Sequence, residues 1–236
     1  KQAVGFGHDD PDGFWQEGCS ITGLSQYLLE TKMLTFYHAP ESRSSAIATL
    51  IEEMGIADKI TVQLVDIPRM DGTGRTDPAN PHPEGKAPCL VHDGHVITER
   101  GAIMLYLTTL FPGTGLAPAV GSPAWGSYIT WLSWYQGVFE PVLILEAAGV
   151  SHPFIPKTFR SHTEAADRIH AALEKGPYLL GDAFSAADLL IHSPYAWFKD
   201  SAPNDPLIRD WVARCMARPA RLRVLAADAA LRQKAA

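Results

Sequence analysis

Apolar positions along the chain follow one spacing in its first half and another in its second. Leu34-Thr35-Phe36-Tyr37 is a short apolar run of strand character. Ala46, Ile47, Leu50, Ile51 and Met54 then recur at helical spacing until Gly55 stops them. Lys59 to Asp66 is β-branched and alternating, which predicts a second strand. Two strands joined through a helix form a βαβ unit, so they should run parallel. A Gly- and Pro-rich loop occupies Pro68 to Lys86. Pro88-Cys89-Leu90-Val91 and His95-Val96-Ile97, separated by Asp93-Gly94, predict a β-hairpin, because Asp-Gly supplies the positive φ that a tight turn needs. Thr98 is placed to cap a helix marked by Ala102, Ile103, Leu105, Tyr106, Leu107 and Leu110 and closed by Phe111-Pro112-Gly113.

Beyond Pro118 the alternation disappears. Trp125 to Ala148, Thr163 to Lys175, Ser185 to Phe198 and Pro206 to Ala217 show helical periodicity, with Gly, Pro and Asn at the breaks. The fold class read from this order is α/β plus all-α. Residues 33–112 are expected to form a small βαβ-ββα domain, a linker runs from Gly113 to Gly121, and residues 120–230 are expected to form an all-helical domain. Residues 1–32 precede Met33 as an extension. They are acidic early, at Asp9, Asp10 and Asp12, and lack the basic-then-apolar build of a secretory signal.

Composition narrows the classes. The chain has 236 residues, 20 Lys plus Arg against 26 Asp plus Glu, a net charge of −6 and a pI near 5.8. That balance argues against a nucleic-acid or anionic-membrane surface, so any anionic ligand must be held locally. No run approaches the roughly 18 apolar residues of a membrane-spanning helix. Three cysteines, Cys19, Cys89 and Cys215, do not make a disulfide framework, and a reducing cytoplasm is the expected compartment. His92-x-x-His95 spans a hairpin turn and nothing resembles His-Glu-x-x-His, so no metal site is expected. Cys89 sits in a buried strand, where packing is its expected role.

Three places carry candidate chemistry. Tyr37-His38-Ala39-Pro40-Glu41-Ser42-Arg43-Ser44-Ser45 is a strand-to-helix turn. Its hydroxyls serve either as helix caps or as the wall of an anion site, where unpaired first-turn N–H groups favour a thiolate or carboxylate. Gly85-Lys86-Ala87-Pro88 stands opposite; Pro88 either opens a strand or forms a cis peptide that turns the Ala87 backbone outward to pair with an extended peptide. Glu99-Arg100 begins the next helix, as a cap and a surface charge or as the holder of a free amino acid.

Taken together, residues 34 to 225 resemble the cytosolic glutathione S-transferase superfamily, in its bacterial, serine-type form, which implies an N-terminal thioredoxin-like domain (βαβ-ββα) followed by an all-helical C-terminal one. The matching segments are Pro40-Glu41-Ser42-Arg43, Gly85-Lys86-Ala87-Pro88, Glu99-Arg100-Gly101-Ala102-Ile103 and Gly181-Asp182-Ala183-Phe184-Ser185-Ala186-Ala187-Asp188. In the last, Ser185 and Asp188 form a buried capping box, a folding element.

The resemblance implies glutathione as co-substrate, and no cysteine lies between Met33 and Ala87 to supply a protein thiol. Ser42 occupies the serine position that contacts the thiol; Tyr37, at the strand end, is its rival, and Ser44 and Ser45 read as first-turn residues. Arg43 is taken with these as a glutathione-binding residue. Ala87 would pair with the cysteinyl part, Pro88 would be cis, Lys86 would screen the glycyl carboxylate, and Glu99 with Arg100 would meet the γ-glutamyl end. Arg100 stands where the family usually has Ser or Thr, and Ala87 where it has Val.

An apolar pocket between the domains would hold a hydrophobic electrophile. Tyr128, Trp131, Tyr135 and Phe139 form one helical stripe, with Tyr128, Trp131 and Tyr135 taken as substrate-binding. Trp134, Trp197 and Phe198 are further candidates. The reaction is conjugation; reduction of disulfides or peroxides, cleavage of ethers or halides, and a non-catalytic binding module are the alternatives. A homodimer is implied as well.

Overall fold

A computed structural model of the chain describes residues 34–198 and 201–235. The expected extension, residues 1–32, lies outside the described residues. Strand β1 (Leu34–His38), helix α1 (Ser45–Met54) and strand β2 (Ile60–Leu64) form the βαβ unit, and β3 (Cys89–His92) and β4 (His95–Ile97) form the hairpin. The sheet order is β2-β1-β3-β4. β1 pairs parallel with β2, setting Phe36 opposite Val62, and antiparallel with β3, setting Phe36 opposite Leu90. This central position buries Phe36 and Leu90 completely. The hairpin turn has φ 49° at Asp93 and 81° at Gly94, the left-handed pair that a two-residue turn requires.

Helix α1 buries Ile47, Leu50, Ile51 and Met54 against the sheet. It ends as the sequence predicts: Gly55 takes φ 65°, its N–H returns to Glu52, and the Ile56 N–H returns to the Ile51 carbonyl. Helix α2 (Arg100–Leu110) packs Ile103, Met104 and Leu107 into the same core. Thr98 does not cap it. Glu99 precedes the helix at φ 66° and makes no side-chain cap; the first bond is from the Ile103 N–H to the Glu99 carbonyl at 2.9 Å.

The second half is helical: α3 (Pro123–Trp134), a π-helical turn (Tyr135–Phe139), α4 (Glu140–Ala147), α5 (Phe154–Thr158), α6 (His162–Leu173), α7 (Ala186–Ile191), α8 (Ser193–Trp197), α9 (Pro206–Met216) and α10 (Pro219–Ala235). Two stretches that read as single helices are interrupted, each next to a proline. Pro141 has no N–H for the Gly137 carbonyl, and the chain widens into the π turn just before it. Pro194 likewise cannot serve Leu190, whose carbonyl takes the Ser193 hydroxyl at 2.7 Å instead.

The capping box forms as expected and carries more load than two residues suggest. Asp188, with no exposure, accepts the Ser185 N–H at 3.0 Å and hydroxyl at 2.8 Å, the Leu179 N–H at 2.8 Å and the Trp211 indole N–H at 2.9 Å. It thereby ties α7 to α9 and to the segment before them. Helix α10, which the periodicity did not separate from the bundle, packs on α1. Arg218 grips Glu53 through Nε at 2.6 Å and Nη2 at 2.7 Å, and Arg223 reaches Glu52 at 3.0 Å. No helix among the described residues is long and apolar enough to cross a membrane.

Candidate functional site

The turn after β1 is held from two sides. Glu41 takes φ 53°, a conformation costly for a residue with a Cβ. Its N–H donates to Asp228 Oδ2 at 2.9 Å, from α10, and its carbonyl accepts Arg69 Nη1 at 3.1 Å, from the long loop. Arg69 Nη2 also reaches the Pro40 carbonyl at 2.8 Å. Both peptide groups of the strained residue are thus fixed by distant parts of the chain.

Ser42 follows, partly buried. Its hydroxyl lies 2.7 Å from the Ala39 carbonyl and 2.9 Å from Ser44 Oγ, and accepts the Ser44 N–H at 3.1 Å. Ser42 thus closes the turn ahead of α1, whose own first N–H groups are met by the Ser42, Arg43 and Ser44 carbonyls. Ser44, at the cap position itself, turns its buried hydroxyl back to His38 Nδ1 at 2.7 Å. His38 Nε2 meets Asp228 Oδ1 at 2.9 Å, and the Ser45 hydroxyl donates to Asp228 Oδ2 at 2.5 Å. Burial would raise the Asp228 pKa; the bonds from His38, Ser45 and the Glu41 N–H overcome it and hold the carboxyl below its usual range.

Ser42 opens onto a cavity of about 1280 Å³. Arg43, Lys86, Ala87, Arg100 and Tyr135 also line it, together with Glu140, Leu143, Ile144, His162, Trp197 and Phe198. The Ala87–Pro88 peptide is cis, and Ala87 lies beyond the last β1–β3 pair, Tyr37 with Cys89. Lys86 pairs with Glu84, at the exposed rim.

Arg100 sits 7% exposed beneath the floor. Its Nη2 donates to Glu140 Oε1 at 2.7 Å and to the Tyr135 hydroxyl at 2.5 Å, Nη1 reaches Ser193 Oγ at 3.2 Å, and the guanidinium lies 4.9 Å from the Tyr135 ring centre. Arg43 Nε meets the same Glu140 oxygen at 2.9 Å. Burial pushes the Glu140 pKa up, but the two cations prevail and keep it low. Burial pushes the Tyr135 phenol up despite Arg100.

The structure brings Ser42, Arg43, Lys86, Ala87, Arg100 and Tyr135 around one cavity and leaves other candidates outside it. Glu99 is exposed and off the lining; its carboxylate accepts Gln136 Nε2 at 2.8 Å. Tyr128 and Trp131, expected at the substrate pocket, are buried and lie off the lining of this cavity. Tyr128 is fully buried, its hydroxyl 3.1 Å from Thr108 Oγ1, and Trp131 packs edge-on to Trp134 with Arg168 over its ring. Their stripe faces the core until Tyr135, the first residue of the π turn, which lines the cavity. Phe139 and Trp134 stack on each other inside, whereas Trp197 and Phe198 do line the cavity.

Tyr37, the rival for the thiol, does not line the cavity either. Cys89 has no exposure, and burial pushes its thiol up to about 11. No group of three metal-ligating side chains occurs among the described residues.

Sequence reasoning missed His38, Asp228, Glu140 and His162. Asp228 had a readable signal. Ala220, Val224 and Asp228 recur every four residues and are all buried, so a carboxylate continues an apolar stripe.

The glutathione S-transferase N-terminal domain family matches residues 32–109, and the C-terminal domain family matches residues 144–219. The chain belongs to the cytosolic glutathione S-transferase superfamily. Among solved structures it is similar to a ternary complex of BphK, a bacterial GST, at 26% identity and a TM-score of 0.66, over 83% of this chain and 99% of that one. A glutathione transferase from Methylococcus capsulatus is 25% identical with a TM-score of 0.67, over 84% and 99%. A sphingomonad glutathione S-transferase complexed with glutathione shares the fold at 24% identity and a TM-score of 0.65, over 83% and 98%. No curated protein sequence matches the chain.

Proposed function

We propose that this glutathione S-transferase family member binds glutathione with its sulfur at Ser42 and transfers the thiolate to an apolar electrophile. One observation carries the reading: a single cavity has Ser42, Lys86 and Ala87 at one side and Leu143, Ile144, Trp197 and Phe198 at the other. The first side suits a peptide with carboxylates, the second an apolar partner.

An alkyl thiol of pKa near 8.5 is only about 3% ionised at neutral pH. The Ser42 hydroxyl, rotated from the Ala39 carbonyl to the sulfur, stabilises the thiolate by about 1.5–3 kcal/mol, equivalent to roughly one or two pKa units. The positive end of the α1 dipole adds to this. Ala87 would pair through its backbone with the cysteinyl residue, while Arg43 and Lys86 offer cations at the rim. The thiolate attacks carbon, forming C–S as a leaving group departs or a double bond opens. Neither described cysteine reaches the cavity, which favours conjugation over a redox cycle using either of them. A homodimer in the cytoplasm belongs to the same reading and is tested by light scattering and cell fractionation.

The experiment is calorimetry with glutathione, followed by parallel conjugation and disulfide-reduction assays of the parent and Ser42→Ala. Conjugation should dominate and fall about ten- to a hundredfold in the variant. An undiminished rate would remove Ser42 from the mechanism.

A further inference from the structure

Ser42, Ser44, His38 and Asp228 stand in file, with successive separations of 2.9, 2.7 and 2.9 Å. The first faces the cavity; Ser44 has no exposure, His38 4% and Asp228 2%. We propose that His38, oriented by Asp228, receives the proton that glutathione gives up on binding, passed through the hydroxyls of Ser42 and Ser44. The proposal rests on the glutathione-transferase reading and extends it: Ser42 touches the sulfur, while Ser44, His38 and Asp228 are positioning residues behind it.

The hydrogen-bond inventory supports this direction. Ser44 Oγ accepts the Ala39 N–H at 3.1 Å and Ser42 Oγ accepts the Ser44 N–H at 3.1 Å, so backbone donors already occupy an acceptor site on each hydroxyl. Each hydroxyl proton is left to point at the next group in the file or at the Ala39 carbonyl, 2.7 Å from Ser42 Oγ and 2.9 Å from Ser44 Oγ. With Nε2–H donated to Asp228, His38 presents a bare Nδ1 to Ser44. The step then balances without a further reactant. The S–H bond breaks and sulfur keeps the electron pair. Ser42 takes that proton and passes its own to Ser44, which passes its own to Nδ1. The products are a thiolate accepting from Ser42 and an imidazolium between Ser44 and the Asp228 carboxylate.

The surroundings suit a proton held there. Asp228 approaches from α10, the cap residue Ser44 offers its hydroxyl to His38, and α1 adds only the Ser45 hydroxyl, bonded to Asp228. The Glu41 carboxylate lies 3.5 Å from Arg232, and Arg69 donates to the Pro40 and Glu41 carbonyls. Phe36 stacks on the His38 ring at 5.4 Å. No charge but that of Asp228 bonds the imidazole, and burial keeps bulk water from taking its place.

The test compares the parent with Ser44→Ala, Ser44→Thr and His38→Gln. For each, glutathione affinity is measured by calorimetry, ionisation of bound glutathione by the ultraviolet absorbance of its thiolate against pH, kcat and KM by conjugation, and folding by thermal denaturation. Ser44→Ala severs the file while leaving the His38–Asp228 pair intact. At acid pH, where the thiol stays protonated, it should bind glutathione as the parent does; it should ionise it only at higher pH and lose about tenfold in kcat at neutral pH. The rate should return at alkaline pH, where the thiol ionises unaided. Ser44→Thr should restore the parental profile, and His38→Gln should behave like Ser44→Ala. Folded Ser44→Ala with parental thiol ionisation and kcat overturns the relay while leaving Ser42 in place. A parent that does not bind glutathione overturns relay and transferase reading together.

Discussion

Arg100 donates to Glu140 Oε1 at 2.7 Å, joining the start of α2 to the start of α4 beneath the cavity. The family's Ser or Thr at position 100 would be too short for this reach. The arginine acts downward, as a brace between the two halves, and its guanidinium is already occupied by Glu140 and Tyr135. Arg100→Met should cost about 3 kcal/mol, since it strands a carboxylate that only Arg43 still faces. Arg100→Met with Glu140→Leu should regain much of the loss. Thermal and urea unfolding check both. The Arg100–Glu140 attraction lowers the folded-state pKa of Glu140, so its stabilisation is full above the unfolded value and is lost as pH falls through the folded one. The double variant should lack that acid limb.

His192 sets a second pH dependence, at higher pH. It is 1% exposed, with Nδ1 2.8 Å from the Asp188 carbonyl and Nε2 unpartnered, and burial lowers its pKa from 6.5 to about 4. The unfolded chain takes up a proton that the fold refuses. Stability should therefore decline as pH falls from about 6.5 to about 4, by up to roughly 1.4 kcal/mol per pH unit, and level off below. Urea midpoints of the parent and His192→Gln across that window measure the slope, which should flatten in the variant.

Asp188 satisfies four donors from three segments. Asp188→Ala leaves all four buried and unpaired and should cost more than about 4 kcal/mol, enough to leave little folded protein. Asp188→Asn retains two acceptor sites on one oxygen and should lose less. Soluble yield and circular dichroism separate the two, while Ser185→Ala, which removes one donor, should cost about 1 kcal/mol.

Gly101 has a steric reason. A Cβ there would come within 2.3 Å of Gln136 Oε1 and 3.3 Å of the Leu132 carbonyl. Gly101→Ala should displace the Gln136 side chain from Glu99 and cost about 1 kcal/mol, and Gln136→Ala in the same chain should recover most of it. Melting temperatures of the single and double variants read the coupling.

The sheet was legible because its signals are local. Alternation from Ile60 to Leu64, the Asp93-Gly94 turn and the stop at Gly55 each depend on a few neighbouring residues. So was the front of the site, since Ser42 and Ala87 lie in short motifs. What escaped detection depends on partners far apart in sequence. His38 reads as a strand end until Asp228, 190 positions later, is seen against it. Tyr128 and Trp131 share a stripe with Tyr135, and periodicity cannot say which part of a stripe faces the core and which the cavity. The π turn at Tyr135–Phe139 makes that division, and its sequence sign is a single proline at position 141.

The clamp on Glu41 also bears on the order in which the chain is made. Synthesis proceeds from the amino end, so the sheet, α1 and Ser42 all emerge long before residue 228, and until then the Glu41 N–H has no carboxylate to hold it. The strained turn ahead of α1 is therefore among the last pieces of the molecule to be secured, completed only by the late arrival of α10.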